Sequence, residues 1–130
     1  MAEMSNFLEN ALINATLRNT TYTSVATVYV SLWTSDPTDA GSGTEVSGGS
    51  YARTAVSFAT ASGTSGNVLN DADVTFPTAT ASWGTVGWIG INDAITSGNL
   101  LYHTALDTSK TIDTGDIFKI STGNLSVTLA

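Results

Sequence analysis

The stretch Thr27-Val28-Tyr29-Val30-Ser31-Leu32-Trp33 decides the fold. Val28, Val30 and Leu32 alternate with Thr27, Tyr29, Ser31 and Trp33, the period of two that sends one set of side chains into a core and the other to the opposite side of a strand. Val56 and Phe58 alternate in the same way within Tyr51–Thr60. Val74 and Phe76 form a short strand that Pro77 stops, since proline has no N–H to give a ladder. Val86-Gly87-Trp88-Ile89-Gly90-Ile91 is apolar on both faces, as in a central strand, and its glycines leave room for close packing or for a bulge. Leu100–Leu106, Ile117–Ile120 and Leu125–Leu129 supply three more strands. Turn chemistry separates them at Asp36-Pro37, Ser47-Gly48-Gly49, Gly63 to Asn67, Ser97-Gly98-Asn99, Thr114-Gly115-Asp116 and Thr122-Gly123-Asn124. Short strands at this spacing predict a mainly β protein, an antiparallel β-sandwich of jelly-roll or Ig-like type.

Upstream of the strands, one helix is expected over about residues 5–18. Asn6 reads as its cap, accepting from the N–H of Glu9, which reaches back in the manner of a capping box. At about 100° per residue, Met4, Phe7, Leu8, Ala11, Leu12 and Ala15 share one side, whereas Ile13 and Leu17 lie opposite. A helix with two apolar faces suits either a place under a loop of its own domain or a partner chain on its second face. The β-sandwich would then occupy about residues 25–130, and the sequence carries no repeat, linker or second domain within a single unit of 1–130.

Composition narrows the functional classes. The 130 residues hold 11 acidic and 4 basic side chains, a net charge of −7, and no cysteine. Arg18, Arg53, Lys110 and Lys119 are too few and too scattered for a nucleic-acid surface. Thiolate metal sites and disulfides are excluded. No apolar run nears the ~20 residues of a membrane-spanning helix, and MAEMSNFLEN lacks the basic start of a secretory signal. With 22 Thr and 15 Ser, hydroxyls replace charge on the strands, where β-branched Thr tolerates the pleat. The pattern Asn-X-Ser/Thr at Asn14, Asn19 and Asn124 is then an accident of a Thr-rich chain.

No residue carries a recognisable catalytic signature. His103 lies on a strand beside Leu101 and Ala105, without a nucleophile elbow or a local carboxylate partner, and a structural or surface role is expected for it. Asp36, Asp39 and Glu45 sit in one Gly-rich loop, but their spacing is not that of an EF-hand, and a solvated loop is expected rather than a bound cation or a glycosidase pair. No metal or cofactor is therefore expected. Trp33, Trp83 and Trp88, with Tyr22, Tyr29, Tyr51 and Tyr102, are expected to fill the core or an oligomer interface. Trp33, opposite the Val28/Val30/Leu32 face, is the best placed for a surface contact such as a glycan.

The helix MSNFLENALINATLRN, the segments LWTSDPT…GTEVSGGSYAR and FPTATASWGTVGWIGI, then SGNLLYHTAL and TGDIFKISTGNLSVTLA, follow one another in a recognisable order. The order resembles a family of small tailed-bacteriophage virion proteins labelled tail fibre proteins, and is similar to β-sandwich decoration (cement) proteins of phage capsids. The resemblance spans nearly the whole chain and brings no catalytic residue with it. It implies a non-enzymatic structural protein of the virion, on the capsid exterior or the tail, made in the cytoplasm of the host bacterium. The main expectation is a cement protein that binds and stabilises the shell of major capsid protein, because the chain lacks the long repetitive shaft of a fibre. The alternative is a tail fibre or tail-tip component that contacts the host surface. Either role implies a homo-oligomer, trimer or dimer, contacting the major capsid protein or another virion protein, and neither needs nucleic acid or membrane. Phe7, Leu8, Leu12, Ile13, Leu17 and Trp33 are the residues expected at such an interface.

Overall fold

The computed structural model describes residues 2–63 and 66–129. Two residues of the turn expected over 63–67, Thr64 and Ser65, lie outside the described residues. The fold is mainly β with one N-terminal helix. The elements are β1 (Glu3–Met4), α1 (Asn6–Leu17), β2 (Val28–Trp33), β3 (Thr54–Val56), β4 (Asn67–Leu69), β5 (Val74–Thr75), β6 (Gly84–Asn92), β7 (Leu100–Ile112), β8 (Lys119–Ile120) and β9 (Ser126–Thr128).

One antiparallel sheet, in the order β1-β7-β6-β2-β3, forms the first layer. The apolar run 86–91 is indeed interior to this sheet, in β6, between β7 and β2. Both uses foreseen for its glycines occur. At Gly87 the ladder slips register between Val86 and Trp88. At Gly90 a Cβ would stand 2.7 Å from Leu100 Cδ1 and 2.8 Å from Ser31 Oγ, so any larger residue would have to push these buried side chains aside.

The second layer is not one sheet but two short antiparallel ladders, β4-β9 and β5-β8. Asn70, 2% exposed, ties them together. Its Nδ2 donates to the carbonyls of Ala72 and Ser121, and its Oδ1 accepts from the N–H of Leu125. A buried amide that satisfies backbone groups of several loops replaces ladder bonds that a continuous sheet would have made. Between the layers lie Val30, Leu32, Val56, Val74, Phe76, Trp83, Val86, Ile89, Ile91, Phe118 and Val127. Phe76 meets Phe118 edge-on at 5.6 Å between ring centroids, and Tyr51 meets Trp83 edge-on at 5.4 Å, geometries that suit the aromatic quadrupole.

Several boundaries differ from the sequence pattern for physical reasons. The helix cap is Ser5, not Asn6: its hydroxyl accepts from Leu8 N–H and donates to the carbonyl of Leu100, which fastens the helix start to β7. Asn19, at φ 54°, turns the chain after the helix in the left-handed conformation that Asn tolerates. β7 runs on to Ile112, beyond the apolar stretch that ends at Leu106. Its polar extension pairs with the start of β6, where the hydroxyls of Thr85 and Thr111 lie 3.0 Å apart. β1 is too short for a periodic signal, and β4 begins on Asn67, the last residue of the expected turn, with only Val68 and Leu69 after it to mark a strand.

Candidate functional site

Residues directly opposite one another in an antiparallel ladder share a face. Ser31 faces Gly90, Gly90 faces His103, and His103 faces Glu3, so these four residues cross β2, β6, β7 and β1 on the face turned away from the main core. That face is covered. Ser5 N–H donates to Leu101 O, and Asn6 N–H donates to Asp39 O, so the start of α1 and the loop after β2 both close over it. Leu8, Leu100 and Leu101 are buried there beside Ser31, Asn92 and His103.

Trp33 is 6% exposed, so of the places expected for it, core or interface, it takes the interior, and it is not a surface residue able to meet a partner or a glycan. Its indole Nε1 donates to Ser31 Oγ at 2.8 Å, and Ser31 Oγ donates to Asn92 Oδ1 at 2.6 Å. Leu8, at 4% exposed, is likewise the helix's anchor in the body and not a surface residue. Leu12 is half-buried on the same side. Of the residues expected at an interface, Phe7, Ile13 and Leu17 are exposed, at 42%, 53% and 79%. Ile13 and Leu17 sit on the side of α1 opposite Leu8, and Phe7 borders a cleft of about 310 Å³ whose walls include Asp39, Arg53, Asn92 and Asn99. Trp83 is buried, whereas Trp88, Tyr22, Tyr29, Tyr51 and Tyr102 are half-buried, so the aromatics form no exposed platform.

The three carboxylates of the loop after β2 part company. Asp36 accepts from Thr38 N–H within its own turn. Glu45 is half-buried and takes a two-pronged grip from Arg53, whose Nε and Nη2 donate at 2.9 and 2.8 Å, together with the Tyr51 hydroxyl at 2.6 Å. Glu45 therefore departs from the solvated loop expected of it. Arg53 Nη1 also donates to the carbonyls of Ala94 and Ser97, so this pair holds the β6–β7 loop in place. The hydrogen-bonded carboxylate raises the Arg53 pKa above its ordinary value. Burial, and then the same Glu45, push the Tyr51 phenol far above its usual range.

Asp39 turns instead to His103, accepting or sharing a proton at 2.7 Å from Nε2, with Glu3 Oε2 4.0 Å from the same nitrogen. His103 is 6% exposed and serves as a buried structural residue, but with a carboxylate partner 64 positions away that no local motif could have announced. Glu3, Asp39 and His103 form the one group of three metal-ligating side chains found among the described residues, their donor atoms all within 4.8 Å of one another.

The chain is thus a two-layer β fold with a docked helix that leaves Ile13 and Leu17 exposed. The family described as Podophage GP4 fiber I protein gp80 matches residues 3–128, and the chain belongs to that family of phage fibre proteins. No curated protein matches it. The match agrees with the virion resemblance and favours the fibre alternative over the capsid cement reading.

Proposed function

We propose that this chain is a structural subunit of a tail fibre that contacts the host surface, and that the Ile13/Leu17 strip of α1 packs against a second copy of the chain. The observation that supports the fibre role is the family match over residues 3–128, which takes in α1 together with both layers. Fibre proteins act by repeated contact between copies, which a symmetric oligomer supplies without an active site. The strip suits such a contact. Ile13 and Leu17 contribute nothing to the monomer's own core, and two apolar side chains held in water gain on being covered.

Labelling intact virions with an antibody to this chain tests the assignment. Label confined to the tail is the expected result. Label spread over the capsid at hundreds of copies would restore the cement reading, in which the chain binds the major capsid protein. Contact with the host is measured by binding of the purified chain to host cells. The contact between copies is tested by light scattering of the wild type against Ile13→Asp/Leu17→Asp, which is expected to fall to the monomer mass.

A further inference from the structure

We propose that Glu3, Asp39 and His103 form a binding site for one divalent transition-metal ion of the Zn²⁺ type. The three ligands come from three separate parts of the chain, namely β1, the loop after β2, and β7. The sheet register sets Glu3 directly across from His103, and the bond from Asn6 N–H to Asp39 O brings the third carboxylate to the same point. The imidazole is buried and fixed, whereas the carboxylates of Glu3 and Asp39 are 72% and 47% exposed and able to adjust.

The spacing suits an ion. Tetrahedral bonds of about 2.0–2.2 Å put neighbouring donor atoms roughly 3.4 Å apart. Here His103 Nε2 lies 2.7 Å from Asp39 and 4.0 Å from Glu3, distances on either side of that value. The ion would take the place of the hydrogen between Nε2 and Asp39 Oδ1, leaving the imidazole proton on Nδ1. Charge favours the exchange. Beside His103 opens a cleft lined by Glu3, Asp36 and Asp107, and the Arg53 in the wall of the neighbouring cleft, which Asp39 lines, is paired with Glu45, so a dication would meet an excess of negative charge. The donor set selects the ion. An imidazole with two carboxylates suits Zn²⁺ and its neighbours, whereas Ca²⁺ and Mg²⁺ prefer oxygen alone. Such an ion would pin the N-terminal strand and the loop after β2 to β7, and with them the start of α1.

The test is titration of the chelator-stripped full chain with ZnCl₂, followed by calorimetry and by the His103 imidazole signals in NMR, with CaCl₂ and MgCl₂ in parallel. The expected result is one Zn²⁺ per chain, a shift of the His103 signals, a raised melting temperature and no comparable response to Ca²⁺ or Mg²⁺. Glu3→Gln keeps the His103–Asp39 hydrogen bond and lies at the surface, so it should fold as the wild type does. Losing a ligand outright should weaken Zn²⁺ binding by no less than the ~10–100-fold that loss of a group behind a ligand costs. Absence of Zn²⁺ binding, or equal affinity in the wild type, Glu3→Gln and Asp39→Asn, would overturn the proposal.

Discussion

On one face of the five-stranded sheet, Val30, Leu32, Ile89 and Ile91 meet an apolar second layer, whereas on the other Ser31, Trp33, Asn92 and His103 are buried just as deeply among hydrogen bonds. The first face is held by removal of apolar surface from water, which has no direction and tolerates small shifts. The second depends on each donor meeting its acceptor, and a buried polar group left alone costs more than its bond was worth. The comparison teaches that burial in this protein has two causes, and only one of them leaves a hydrophobic trace in the sequence.

The largest effect is expected where the apolar face is emptied. Phe76→Ala removes a fully buried ring that packs on Tyr51 and Phe118, and should destabilise the fold by about 3–5 kcal/mol in urea unfolding. A smaller loss would mean that the second layer collapses onto the gap.

On the polar face, Ser31→Ala takes away both the acceptor of Trp33 Nε1 and the donor to Asn92, and should cost about 1–3 kcal/mol although only one oxygen is removed. An unchanged melting temperature would show that this face is not closed by its hydrogen bonds, and the contrast between the faces would fail.

Leu17→Asp tests a position that belongs to neither face. At 79% exposed it should change monomer stability by no more than about 0.5 kcal/mol, while weakening self-association in light scattering. Unfolding of the domain by this single change would place Leu17 in the core of the free chain and remove the contact between copies from consideration.

The smallest effect concerns Asp73, at the surface junction of β5 and β8. The Thr122 N–H, the Thr122 hydroxyl and then Lys119 hold its carboxyl below the ordinary value of 3.8. A carboxyl depressed in the folded state stabilises the fold above its unfolded pKa, and that contribution disappears as the pH falls through the lower, folded value. The melting difference between wild type and Asp73→Asn should therefore be present at neutral pH and vanish in strong acid. A difference that persisted in acid would assign the residue a role independent of its charge.

The strand pattern was legible wherever one side of a strand was apolar. Val28, Val30 and Leu32 announced β2, and the doubly apolar 86–91 announced the central position of β6. The helix's two-sidedness was legible too, but not which side faces the body: only the fold turns Leu8 inward and leaves Ile13 and Leu17 outward. Whether Trp33 lies inside or at an interface was not legible, for a specific reason: alternation says that a residue points away from one core, but not whether another layer waits on the other side. The layer that covers it consists of Ser5, Asn6 and a loop rich in Asp and Gly, all of which read as solvent-facing. Asn70 and the split second layer were hidden for the same reason, since a polar residue replaces apolar periodicity there.

By itself, then, the sequence determined an antiparallel β protein with a leading helix, because periodicity and turn residues are local and survive without knowledge of contacts; the virion resemblance rested separately on the order of its segments. Tertiary structure alone decided that Glu45 goes to Arg53 and Asp39 to His103, and that Trp33 is inside. Those outcomes depend on which distant segments the chain brings together, and polar side chains show no preference until their partners arrive.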